Sequence, residues 1–163
     1  MHPLFLVVVL LGFFFDGVAV LWSILAVLFH ETGHVLMAKS RGYVVGNLVL
    51  MPYGAEMSSE DNIDSNSSVA IGLAGPLVNL FLALAVLGLW WIFPSVYPFT
   101  EPFLQANLTL AFFNLLPAYP LDGARVLVGL SKHKLKAVKA LKISGIVLSA
   151  VALGLFVASC SFG

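Results

Sequence analysis

Apolar residues in this chain come in long blocks separated by short polar breaks, which is the pattern of helices surrounded by lipid rather than of amphipathic helices packed on a soluble core. Residues 3–15 form a short apolar run, Asp16-Gly17 is a turn signal, and residues 18–38 are long enough to span a bilayer, so the first two elements are expected to be a tight hairpin. The stretch "GNLVLMPYGAEMSSEDNIDSNSS" follows, where a few aliphatic and β-branched positions with Pro52 and Gly54 give way to an acidic loop. That composition predicts a strand or re-entrant segment instead of a helix. Residues 69–93 are the longest apolar run and end at the interface aromatics Trp90-Trp91, before a proline-bearing turn, "FPSVYPFTEP". Residues 103–117 form a shorter span containing Gln105, Asn107 and Asn114; "PAYPLDGARVLVGL" breaks that helix and restarts a short one. A basic stretch, "SKHKLKAVKALK", leads into the last apolar run at about 140–160.

The expected fold is an all-α polytopic membrane protein of about five transmembrane helices, with a short re-entrant β element after the second helix. It forms a single domain over 1–163, with a core at 2–130, a basic linker at 131–139 and the last transmembrane helix at about 140–160.

Composition agrees with the pattern: 60% of residues are hydrophobic, 10% are charged, and the mean hydropathy is +1.02. These values belong to an integral membrane protein. Eight Lys plus Arg balance eight Asp plus Glu, which gives no basis for a nucleic-acid partner. The single cysteine, Cys160, has no internal disulfide partner and takes no assigned role. "MHPLFLVVVLLGFFF" has neither the positive start nor the cleavage site of a signal peptide and reads as a membrane element. With the N-terminus inside, Lys39, Arg41, Arg125, Lys132, Lys134, Lys136, Lys139 and Lys142 all fall on one side, as the positive-inside rule requires, and Asp16 and Glu101 fall on the other.

Against that background "HETGH", residues 30–34, stands out. An ionisable side chain at mid-bilayer costs ~2.5–3.5 kcal/mol and persists where it has partners or work. His30 and His34 are four apart, so a helix presents both imidazoles on one face and they can share an ion. Glu31 lies one step round, placed to take a proton from a water that the ion activates. Two histidines leave a zinc ion short of a third protein ligand. His2 and His133 lie at span ends and Glu56, Glu60, Asp61 and Asp64 in a polar loop, whereas Asp122 sits on irregular backbone between Pro120 and Gly123 at the inner end of a span. His30 is nine residues before Lys39, ~13 Å below that boundary, and Asp122 approaches from the same side. A non-hydrolytic protein carrying a metal ion in transit would use similar ligands, but no internal repeat of the kind common in transporters is present.

"HETGH", "AGPLVN" (74–79) and "NLLPAYPLDG" (114–123), in that order, resemble the site-2 protease family of intramembrane zinc metalloproteases, M50-type; "LMPYGAEM" resembles its re-entrant β element. "HPLF" and the lack of a PDZ domain place the likeness closest to the short bacterial subgroup that includes stage IV sporulation protein FB. The likeness covers roughly residues 2–130. That subgroup carries a further span and a cytoplasmic regulatory domain beyond the last run, whereas this chain stops at Gly163. The resemblance implies an intramembrane zinc metalloendopeptidase acting in regulated intramembrane proteolysis on a membrane-embedded protein substrate, with room for a regulatory membrane partner. The implied location is the bacterial cytoplasmic membrane, multi-pass, with the active site towards the cytoplasm. It also implies one catalytic Zn2+ held by His30, His34 and Asp122, with Glu31 as general base and Asn114 assisting substrate or transition state. Asn79, Val49, Leu50, Pro52 and Gly54 are expected to bind substrate, the strand residues by pairing with an unwound peptide.

Overall fold

The computed structural model describes residues 3–43, 48–51, 54–57 and 63–162, with side chains over 17–43 and 63–151. Helix α1 (Pro3–Ser40) is continuous. The hairpin expected at Asp16-Gly17 is therefore replaced by one helix. A single glycine inside a helix costs only about 1 kcal/mol relative to alanine, and strong helix formers on both sides propagate through it. The cationic end of α1 closes at Gly42, whose φ of 83° lets Tyr43 N–H return to the Ala38 carbonyl at 3.1 Å.

Strands β1 (Leu48–Met51) and β2 (Gly54–Met57) pair antiparallel, with Val49 opposite Glu56, Leu50 opposite Ala55 and Met51 opposite Gly54. Pro52 lies outside the described residues. Helix α2 (Ser65–Ile92) starts at Asp64, whose carboxylate accepts from the backbone N–H groups of Asn66 at 2.9 Å and Ser67 at 3.0 Å. Tyr43 Oη donates to the other oxygen of Asp64 at 2.8 Å, so one carboxylate ties the end of α1 to the start of α2. Hydrogen bonds from Ser67, then Tyr43, hold the Asp64 carboxyl well below the usual carboxylate range.

At the far end of α2, the turn expected over "FPSVYPFTEP" is short: a 3-10 turn (Pro94–Val96) runs straight into α3 (Tyr97–Asn114). Pro98 falls in the first turn of α3, where its missing N–H would have no intrahelical partner anyway. Trp90 Nε1 donates to Thr100 Oγ1 at 2.7 Å across this connection. After α3, residues 115–121 form an irregular loop, including a cis Tyr119-Pro120 bond. Helix α4 (Asp122–Leu130) and α5 (Lys134–Phe162) follow. The expected basic linker at 131–139 is thus mostly the first turns of α5.

Ala26 of α1, Ala83 and Val86 of α2, and Phe103 and Leu104 of α3 form a buried apolar cluster, with Trp22 packed on Phe103 at a ring separation of 5.1 Å. Among the described residues, two segments are long and apolar enough to cross a membrane, Gly17–Ser40 and Ser65–Ile92, with only 28% and 44% of their apolar windows buried. A core helix of a soluble protein would hide most of such a face; here Leu21, Leu36, Phe81, Leu84 and Trp91 all point outward. The end of α1, the start of α2, α4 and the start of α5 share one end of the bundle, so the cations remain together although α1 is a single helix. That places the start of α1 at the opposite end from the one expected.

Helix α5 clamps the loop before α4. Tyr119 N–H donates to the Leu141 carbonyl at 3.0 Å, Ser144 Oγ donates to the Pro117 carbonyl at 2.7 Å, and Gly145 lies so close to the Tyr119 carbonyl that a Cβ there would overlap it. Gly145→Val is expected to force α5 off this loop and cost about 1–3 kcal/mol, as overpacking does. Equilibrium unfolding in detergent measures the loss.

Candidate metal centre

His30 and His34 lie one turn apart in the second half of α1, their rings edge to face with centroids 4.7 Å apart. Asp122 opens α4, and the loop before it turns the carboxylate back towards α1. Its Oδ2 lies 3.0 Å from His30 Nε2 and 3.1 Å from His34 Nε2, and the two Nε2 atoms are 3.1 Å apart. The histidine side chains are 5% and 6% exposed, while the Asp122 side chain keeps 17% of its surface, making it the wettest of the three. Gly123 makes this turn possible: its Cα presses on the Leu115 and Leu116 carbonyls, and a Cβ would stand 2.5 Å from the Leu116 oxygen.

The opposite edge of each ring shows which nitrogen carries the proton. His34 Nδ1 lies 2.7 Å from the Ile71 carbonyl, which can only accept, so Nδ1–H donates, and in the neutral ring Nε2 is left with its lone pair. His30 Nδ1 donates in the same way to Asn79 Oδ1. With both imidazoles neutral, two lone pairs and one carboxylate oxygen converge, three acceptors facing one another. A cation reconciles that arrangement. Tetrahedral zinc with ~2.0–2.1 Å bonds sets its donors roughly 3.3 Å apart, and the observed separations are within a few tenths of an ångström of that. The donor set, two neutral imidazoles with Nδ1 supported and one carboxylate, fits zinc with an open position.

Helix α2 supplies the wall. A Cβ on Gly75 would lie 2.7 Å from His34 Cε1 and 2.8 Å from His30 Cε1, so only a glycine backbone fits beside the imidazoles. Gly33, between the histidines, packs as tightly on the Ala74 carbonyl, where a Cβ would come to 2.9 Å. Glu31 is 7% exposed and adjacent in sequence to His30.

The other sequence-predicted residues fall elsewhere. Asn79, expected at the substrate, is 0% exposed and has its amide engaged behind His30. No surface of it is left for a peptide to touch. Asn114, at the end of α3, donates to the Leu110 carbonyl of its own helix at 3.0 Å. Val49, Leu50 and Gly54 are in the β1–β2 hairpin. Sequence reasoning missed Asn107, which is also 0% exposed and bonds to Asn79 at 2.7 Å. Its only signal was an amide in an apolar run, a feature shared with Gln105, which is exposed and bonds to Glu101. The Ile71 carbonyl, a backbone group, has no sequence signal.

A sequence profile of Peptidase family M50 matches residues 18–104. That stretch holds His30, Glu31, His34, Gly75 and Asn79 and stops short of Asn107 and Asp122. A zinc metalloprotease of Methanocaldococcus jannaschii is 33% identical over 150 residues, covering 86% of this chain and 44% of that protein. Stage IV sporulation protein FB of Bacillus subtilis is 31% identical over 151 residues, 88% of this chain and 51% of that protein. The chain thus spans about half the length of these two relatives. Among solved structures, a site-2 protease from M. jannaschii superposes with a TM-score of 0.80 at 29% identity, over 98% of this chain and 79% of that one.

Gly75→Ala puts a methyl group where the imidazoles sit and is expected to weaken zinc binding by about tenfold or more while α1 and α2 remain folded. Asp122→Ala removes a ligand outright. Competition with a chromogenic chelator measures both, and wild-type affinity in either variant would remove Gly75 or Asp122 from the centre.

Proposed function

The chain belongs to peptidase family M50, and on that premise we propose that it is an intramembrane zinc metalloendopeptidase that cleaves a membrane-embedded protein substrate in regulated intramembrane proteolysis. The observation that carries the reading is the convergence of His30, His34 and Asp122 with a buried glutamate next to one of them, inside helices whose outer faces are apolar.

Held by these three side chains, a zinc ion would supply a Lewis acid able to polarise a carbonyl and to lower the pKa of water towards ~7. The protein does the remaining work. His30, His34 and Asp122 hold the ion, with the imidazole orientations fixed by the Asn79 and Ile71 oxygens. Glu31 accepts the proton that the attacking water gives up. It then delivers that proton to the amine nitrogen as the peptide C–N bond breaks. Water and substrate enter from the end that bears Asp122, which is the more exposed edge of the centre and the end where the cations cluster. The positive-inside rule makes that end cytoplasmic in a multi-pass arrangement.

A transmembrane substrate hides its carbonyls in helical hydrogen bonds, so it has to unwind before cleavage. The β1–β2 hairpin has the backbone geometry to take an extended peptide as a further strand, with Val49 and Leu50 on β1 and Gly54 opposite Met51. In this reading Asn114, at the end of α3 beside the Asp122 loop, assists the substrate.

Co-expression with a panel of single-span membrane proteins tests the assignment. Glu31→Gln is expected to reduce cleavage by ~10²–10⁴-fold and to keep zinc at one equivalent, because Glu31 is not a ligand. Cleavage that survives the change sinks the general-base role. Val49→Pro, which removes a strand N–H, is expected to weaken cleavage without loss of zinc; full activity would argue against strand pairing.

A further inference from the structure

Behind His30 a line of buried amides runs across the bundle. Asn79 Oδ1 accepts from His30 Nδ1, while Asn79 Nδ2 donates to Asn107 Oδ1 at 2.7 Å and to the Ala26 carbonyl at 3.3 Å. Asn107 Nδ2 donates in turn to the Phe103 carbonyl at 2.8 Å. Both asparagines are 0% exposed, and among the described residues no buried side-chain nitrogen or oxygen lacks a partner.

An asparagine amide is nearly symmetric in shape but opposite in polarity at its two ends, so a 180° turn exchanges acceptor for donor. A turned Asn79 would point NH2 at His30 Nδ1. That nitrogen would then accept, and the ring proton would move to Nε2, the atom that faces Asp122 and His34. The centre would lose a ligand without any change of shape. Two backbone carbonyls prevent this. Ala26 and Phe103 can only accept; Phe103 fixes the direction of Asn107, and Asn107 with Ala26 fixes the direction of Asn79.

We propose that Asn107, on α3 and outside the metal centre, is a positioning residue that sets the His30 tautomer through Asn79, keeping Nε2 unprotonated and ready to bind the ion. The inference rests on the reading of His30, His34 and Asp122 as a metal centre and on nothing about catalysis. The two ligands are held differently. His34 takes its direction from the Ile71 carbonyl in one step, and His30 takes its direction from the Phe103 carbonyl in three.

Loss of the lock divides His30 between two tautomers, and apparent affinity falls with the competent fraction. A fraction of about 0.1–0.5 gives roughly 2–10-fold weaker zinc binding in Asn107→Leu. Asn79→Leu removes the direct partner and is expected to cost about 10–100-fold. The decisive readout is not activity. In 15N-labelled, zinc-free wild-type protein at mildly alkaline pH, with the His30 signals identified by their loss in His30→Gln, NMR should show the proton on Nδ1. In Asn107→Leu the His30 signals should move towards the Nε2–H form, with those of His34 unchanged. Equal zinc affinity and an unchanged His30 tautomer in folded Asn107→Leu would overturn the proposal. A wild-type protein with His30 protonated on Nε2 overturns it even if the variant does not fold. Failure of the wild type to bind zinc at all overturns the metal-centre reading itself, a result distinct from the other two.

Discussion

A histidine buried among helices has two nitrogens, and each needs a partner of the right polarity. Most of the architecture around α1 follows from meeting that demand twice. One edge of each ring must find an acceptor on α2, which brings the Ile71 backbone carbonyl and the Asn79 side-chain amide to within a hydrogen bond of α1. Helices approach that closely only where side chains are absent. Gly33 on α1 and Gly75 on α2 are positions at which a methyl group would collide with the facing helix, and the bulkier apolar side chains such as Leu21, Leu36, Phe81 and Leu84 face outward. In lipid, where burial of apolar surface gives little force between helices, such close packing and the interhelical hydrogen bonds are what hold the pair together.

The third side chain of the candidate centre is positioned by a different device. Asp122 is at the start of a nine-residue helix after an irregular loop, neither of which is rigid alone. The stiffness comes from α5, whose Leu141 carbonyl, Ser144 hydroxyl and Gly145 backbone grip the loop at Tyr119 and Pro117. The candidate centre therefore depends on a helix that supplies none of its three side chains. Irregular backbone is tolerated here because its N–H groups are all bonded, those of Leu115, Leu116, Ala118, Tyr119 and Leu121 each reaching a backbone carbonyl.

The sequence reveals what repeats or stands out chemically. Two histidines four apart, a glutamate beside one of them and an Asp-Gly after two prolines are visible against an apolar background, and the structure brings His30, His34 and Asp122 together. The long runs mark the helices, but their boundaries depend on cooperativity that local signals underestimate. Asp16-Gly17 looks like a turn and lies inside α1, and Pro98 and Pro102 look like breakers and lie inside α3. What the sequence hides is tertiary pairing. Nothing local separates Asn107, bonded to Asn79, from Gln105 two residues away, which faces outward, because the difference is only which side of α3 meets α1 and α2.

The same line of amides bears on what the centre is for. A protein that passes an ion through the membrane needs polar groups continuing beyond the site to the other surface. Here side-chain exposure falls from 17% at Asp122 to 5% at His30 and 6% at His34, and Asn79 and Asn107 are 0% exposed. Beyond Asn107 the column ends at a backbone carbonyl, that of Phe103, whose side chain joins Ala26, Ala83, Val86 and Leu104 in the apolar cluster. Every amide in the column is already committed to a neighbour, so none is free to exchange a passing ion's hydration. Among the described residues, polar contacts run from the exposed edge at Asp122 to Asn107 and give way there to apolar packing, which argues against a continuous polar path for an ion.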